Sequence, residues 1–206
     1  MSFFLRYGTL KHVSEMGGHF MSEETLIEEE KSKKKESWEW IKAILFAFAL
    51  AFIIRQFLLA PVIVDGESML PTLENSDRMI VNKMAYTFSE PKRFDIIVFH
   101  APAGKDYIKR VIGLPGDEIK YENDQLYVNG EAIDEPYLEE FQRLYEPEVL
   151  THDFLPIIVP EQQLFVLGDN RRRSKDSRDI GTIHVDEVIG RARIVFWPIS
   201  NFRIAE

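Results

Sequence analysis

The sequence predicts a mainly β protein: an N-terminal transmembrane helix followed by an antiparallel β-sheet or barrel-like domain. Three observations carry that expectation. One long apolar run, WEWIKAILFAFALAFIIRQFLLAPVIV, occupies residues 38–64. After Pro61, short segments rich in β-branched and aromatic residues alternate with turn residues. Beyond the apolar run no helical periodicity of useful length appears, although YLEEFQRLY (137–145) has room for two turns, which argues against alternating α/β units.

The apolar run needs its flanks to span a bilayer. Its uncharged core, Ala43 to Ile54, has 12 residues, too few alone for a hydrocarbon layer of ~30 Å. Lys42 and Arg55 bound that core, and long basic side chains extend towards headgroups. Trp40 to Ala60 makes 21 residues, or about 31 Å at helical rise. Trp38 and Trp40 fall where an interfacial aromatic belt lies. Apolar residues run all round the helix, which favours a membrane span over a buried core helix.

Orientation follows from charge. Lys31, Lys33, Lys34, Lys35 and Lys42 precede the span, and the next basic residue after Arg55 is Arg78. The positive-inside rule therefore makes residues 1–37 a cytoplasmic tail, 38–60 the anchor and 61–206 an extracytoplasmic domain. The small-x-small triplets at 47–49 and 49–51 lie inside the helix, and Ala60 is followed by Pro61, so an uncleaved anchor is expected rather than a signal peptide. A complete short tail reads from Met21, which marks residues 1–20 as a candidate upstream extension.

Composition excludes several chemistries. The chain has no cysteine, hence no disulfide, thiolate metal site or cysteine nucleophile. Residues 61–206 hold 17 basic and 26 acidic side chains, the whole formal charge of −9. That acidity argues against nucleic acid as a partner. None of the five histidines has HExxH or HxH spacing, so no metal is expected. GxGxxG and Walker loops are missing, and no cofactor is expected.

The expected strands lie at 78–85, 95–101, 107–114, 125–133, 163–169 and 190–199, with Asn129-Gly130 as a two-residue hairpin turn. Residues 134–160 are the least patterned and read as an insertion or long loop.

VDGESMLPTL (64–73) sets Ser68 between Gly66 and Pro71, just after the anchor. Leu70 stands where a nucleophile elbow needs glycine, so a histidine-activated serine of that kind is excluded. A neutral lysine is the remaining base. It must lie in a hydrophobic strand, where burial lowers its pKa. Lys109, in YIKRVIGLPGD (107–117), fits best. Alternation puts Tyr107, Lys109 and Val111 on one face, so burying Lys109 should expose Arg110. Taken alone, Lys109 also reads as an edge-strand lysine that discourages aggregation, and Ser68 as a turn serine.

Four segments in order, GESMLPTL (66–73), KRFDIIVFHAP (92–102), YIKRVIGLPGD (107–117) and GDNRRRSKDSRDIG (168–181), resemble the boxes of type I signal peptidases, the bacterial leader peptidases, in their Gram-positive form. With the anchor, the resemblance covers about residues 38–200. It implies the signal-peptidase fold and a membrane-bound serine endopeptidase that removes signal peptides from secreted precursors through an acyl-enzyme. By position it implies Ser68 as nucleophile, Lys109 as general base and Ser174 as the serine that orients the lysine amine. Asp176 and Arg178 match a bracing salt bridge; Asp169, Asn170 and Arg171 read as structural support. The Ser68 backbone N–H would hold the oxyanion. The best-described Gram-negative members add a serine hydroxyl two residues before the nucleophile. Here that position is Gly66, so a second donor from the Gly66 region has to be a backbone N–H or a water. Implied partners are precursors with small-x-small cleavage sites bound as an added β-strand, membrane lipid, and the translocation machinery nearby. Ile63, Val64 and residues of the 107–112 strand are the expected pocket walls.

Two other readings use the same residues. A self-cleaving repressor shares Ser/Lys chemistry, but the membrane span and the lack of a DNA-binding domain oppose it. A membrane-anchored β-domain that only binds extended peptides would leave Ser68 and Lys109 structural.

Overall fold

The computed structural model describes residues 23–102, 104–145 and 148–205, so the candidate extension 1–20 lies outside the described residues. The chain divides into two units, residues 1–49 and 50–206. Helix α1 spans Glu23–Ile53, and a π-helical turn, Ile54–Leu58, continues it. Lys34–Leu58, 25 residues with mean hydropathy 2.0, is long and apolar enough to cross a membrane. Trp38, Trp40, Phe46, Phe48 and Phe52 are all exposed, a surface suited to lipid rather than water. Strand replaces helix at Leu59. Leu59 and Ala60, the end of the expected 38–60 anchor, therefore belong to a sheet.

The second unit holds two antiparallel sheets. Its strands are β1 (Leu59–Ile63), β2 (Arg78–Asn82), β3 (Ile96–Ala101), β4 (Lys105–Gly113), β5 (Glu118–Glu122), β6 (Gln125–Val128), β7 (Glu131–Ile133), β8 (Phe154–Ile158), β9 (Gln163–Leu167), β10 (Ile183–His184), β11 (Val188–Trp197) and β12 (Arg203–Ile204). The larger sheet runs β1-β2-β11-β3-β4-β9-β10, with β12 also on β11; the smaller runs β7-β6-β5-β8. Strands β1 and β10 are open edges, so the sheet is not a closed barrel. Each expected strand segment contains a strand. The Asn129-Gly130 turn has φ of 53° and 82°, the two positive values that a tight hairpin needs.

Residues 134–160 are not one long loop. They contain a 3-10 turn (Pro136–Leu138), helix α2 (Glu139–Tyr145) and β8, which pairs with β5. Leu138, Leu150 and Val159 are buried. Pro156 disguised β8 in the sequence; it is tolerated because β8 is an edge strand.

Strand β4 links the sheets. Val111 packs with Ile97, Phe99 and Val166, whereas Ile112 packs with Ile119, Tyr121 and Phe165. Both faces are covered, which overturns the expectation for Arg110. Lys109 is 4% exposed and Arg110 0%. The Arg110 charge is met by Asp169, with Nε and Nη2 donating to the carboxylate at 2.9 and 2.7 Å.

Candidate active site

Ser68 lies in the loop that joins β1 to β2. The loop is closed at its base by Val64 N–H donating to Asp77 C=O at 2.8 Å and Ser76 N–H to Val64 C=O at 2.9 Å. Met69 and Leu73 are fully buried among Met79, Val81, Val98 and Val195. Two apolar plugs and a closed neck leave Ser68 little freedom. From the other side, Asn170 N–H donates to Ser68 C=O at 3.1 Å and Asn170 Nδ2 to Glu67 C=O at 3.0 Å.

That approach requires Gly168. A Cβ there would lie 2.1 Å from Ser174 Oγ and 2.4 Å from Ser68 O, closer than any side chain allows. Gly168 belongs to the expected GDN segment, yet its steric role needed the second strand to be placed.

Lys109 reaches the serine from β4, where it sits opposite Ile97. Its Nζ lies 2.7 Å from Ser68 Oγ and donates to Ile108 C=O at 3.0 Å. No ion pair to Lys109 forms among the described residues. Burial lowers its pKa from 10.5 to about 8, against an upward pull from Asp176 and then Asp169. Both carboxylates are already committed. Asp169 holds Arg110, and Asp176 holds the Arg178 guanidinium at 2.8 Å and the Gly168 N–H at 3.0 Å. The amine is therefore buried, with only 4% of the residue exposed, and its nearest negative charges are paired with arginines.

Two expected contacts differ. Ser174 Oγ is buried and has no hydrogen-bond partner among the described residues, so no bond links it to Lys109. It packs over Gly168, and the Ile108 carbonyl makes the second contact to the amine. Gly66 N–H donates to Asn75 Oδ1 at 2.9 Å and is spent as an oxyanion donor. Ser68 N–H makes no hydrogen bond among the described residues.

A cleft of about 550 Å³ opens beside the pair. Val62, Ile63 and Val64 form one wall, Tyr107 and Ile108 the other, with Ser68 and Lys109 between them. Strand β1 is an edge, and β9 ends at Leu167 opposite Arg110, so both walls present unpaired strand. The arrangement can deprotonate an alcohol beside an extended peptide.

Known proteins match this chain over most of its length. The family model "Signal peptidase, peptidase S26" matches residues 37–197. Signal peptidase I S of Bacillus subtilis (strain 168) is 46% identical over 178 residues, covering 84% of this chain and 95% of that protein. Signal peptidase IB of Staphylococcus aureus (strain Mu50 / ATCC 700699) is 42% identical over 180 residues, covering 82% and 94%. A solved signal peptidase I from Enterococcus faecalis V583 aligns at 42% identity with a TM-score of 0.48, covering 50% of this chain and 97% of that one. On a family match that takes in the apolar helix, the Ser68 loop, β4 and the 168–181 segment together, the chain belongs to the signal peptidase family, peptidase S26.

Proposed function

We propose that this signal peptidase works through Ser68 as nucleophile and Lys109 as general base. The protein is a membrane-anchored serine peptidase that removes signal peptides from secreted precursor proteins. The single observation that carries the assignment is a dry lysine amine 2.7 Å from a serine hydroxyl at the wall of a peptide-sized cleft.

In the reading, neutral Lys109 accepts the Ser68 proton as Oγ attacks the scissile carbonyl. The free Ser68 N–H donates to the oxyanion. The ammonium returns its proton to the departing amine, leaving an ester on Ser68. Lys109 then takes a proton from water, the hydroxide attacks the ester, and the ammonium returns the proton to Ser68 Oγ as the signal peptide leaves with a new carboxyl end. Asp169–Arg110 and Asp176–Arg178 hold the frame and touch no reacting atom.

The precursor enters as a strand between β1 and residues 105–109. A cleft walled by Val62, Ile63, Val64 and Ile108 favours small apolar side chains at alternate positions, in keeping with small-x-small sites. The lysine run on the N-terminal side of the uncharged run 43–54 supports a cytoplasmic N-terminus, with residues 61–206 on the outer side beside lipid and near the translocation machinery.

The test is precursor processing in detergent by wild type, Ser68→Ala and Lys109→Ala. Each variant should lose on the order of 10⁴-fold or more in kcat, and the wild-type rate should climb with pH through about 8 as Lys109 loses its proton. Equal processing by all three proteins rejects the assignment. A second signature is a rate flat from pH 5 to 9 with chemistry limiting, which removes the lysine.

A further inference from the structure

One buried group of charges has no task in this mechanism. The Arg171 side chain is fully buried and faces Glu135, 5% exposed, with Nη2 donating to Oε1 at 2.6 Å and Nη1 to Oε2 at 3.3 Å. The hydroxyls of Tyr121 and Tyr137 also donate to Glu135. Burial alone pushes the Glu135 carboxyl up, but Arg171 and these hydrogen bonds outweigh it and hold the group below its ordinary pKa. Glu135 is therefore a fixed buried anion.

The same guanidinium grips the active-site turn. Arg171 Nε donates to Gly168 C=O at 3.1 Å, and Arg178 Nη2 donates to Arg171 C=O at 2.8 Å. Gly168 and Asn170, on either side of Asp169, are the residues pressed against and bonded to the Ser68 carbonyl. A second arm starts two residues after Glu135. The Tyr137 ring lies 3.8 Å from the Arg110 guanidinium, a stacking distance. Arg110 follows Lys109 in β4, and its Nη2 donates to Thr72 Oγ1 of the Ser68 loop at 3.3 Å.

We propose that Glu135 and Tyr137 are positioning residues for the dyad, setting the serine loop through Arg171 and the lysine strand through Arg110. This rests on Ser68 and Lys109 being the dyad. The segment between β7 and α2 thereby gains a role in the chemistry although it touches no reacting atom. A simple staple for the smaller sheet would need the Glu135–Tyr121 contact. It would not need the bond from Arg171 to Gly168, nor a ring stacked on the neighbour of the base.

The experiment measures kcat and KM for a purified precursor, on full-length protein, with Glu135→Gln, Glu135→Asp, Tyr137→Leu, Arg171→Gln and the Glu135→Gln/Arg171→Gln double variant. Thermal melts confirm that each is folded at the assay temperature. Glu135→Gln should lower kcat about 10- to 100-fold, the scale of a displaced catalytic geometry, with KM changed less than about twofold because the cleft walls are untouched. Glu135→Asp should recover part of the loss, and Glu135→Gln should add nothing once Arg171 is Gln. If Glu135→Gln does not fold, Tyr137→Leu, which removes the ring stacked on Arg110, decides, with an expected fall in kcat of about threefold or more. Wild-type kcat in a folded Glu135 or Tyr137 variant overturns the proposal, as do independent, multiplying effects in the double variant. Ser68→Ala runs alongside: residual full activity there strikes the dyad itself, whatever the Glu135 series gives.

Discussion

A lysine amine acts as a base only if its proton can leave near neutral pH. At Lys109 burial supplies that condition, taking the pKa from 10.5 to about 8. The same shift is a stability term. Between those two values the unfolded chain binds the proton that the folded chain has released, so unfolding free energy rises with pH. The rise from this one group amounts to about 3 kcal/mol across the window. Urea titrations of wild type and Lys109→Met at pH 7.5 and 10 should therefore diverge, the wild type gaining most of that amount relative to the variant. Parallel pH dependences are the outcome that places the amine in water.

At the scale of elements, β4 is the member on which the site is built. It carries Lys109, the proposed base, and Arg110, a structural cation, on opposite faces, both buried. An arginine there is tolerated because Asp169, just past the end of β9, receives it with two hydrogen bonds. Removing the carboxylate from such a buried pair costs about 3–5 kcal/mol. Asp169→Asn should lower the urea midpoint by a corresponding amount, with activity lost through unfolding. An unchanged midpoint means that water reaches Arg110. The Ser68 loop is braced in a similar way from the C-terminal strand, where Arg203 Nη2 donates to Thr72 C=O at 2.9 Å and to the buried carboxylate of Asp77.

For the whole molecule the governing asymmetry is charge. Residues 61–206 carry the full net charge of −9, while Lys31, Lys33, Lys34, Lys35 and Lys42 lie on the N-terminal side of the uncharged run 43–54. Orientation can be read cleanly because the chain contains no cysteine. Single variants Ser32→Cys and Ser89→Cys place one thiol before and one after the uncharged run 43–54 in the sequence. In intact spheroplasts a membrane-impermeant maleimide should label Ser89→Cys and spare Ser32→Cys until the membrane is opened. The reverse pattern inverts the topology. Ser89 is exposed and sits outside the strands, so the probe does not compete with packing.

The sequence alone determined what depends on neighbours along the chain. An apolar run with a lysine flank defines a helix for lipid. β-Branched runs between turn residues define strands, and Asn129-Gly130 defines a hairpin, because each is a local steric or solvation effect. Ser68 and Lys109 were singled out by the resemblance of their segments to the signal-peptidase boxes, since taken alone each also read as structural. Only the tertiary structure brought them within hydrogen-bond distance across 41 residues, and only it decided whether the amine was dry. Arg110 was misplaced because alternation assumes one wet face, and β4 has none from Lys109 to Gly113. Likewise β8, broken by Pro156, and the Glu135–Arg171 pair were hidden, since an edge position and a buried counter-charge exist only once the sheets are assembled. Desolvation depends on what covers a residue, and the covering groups come from distant parts of the chain.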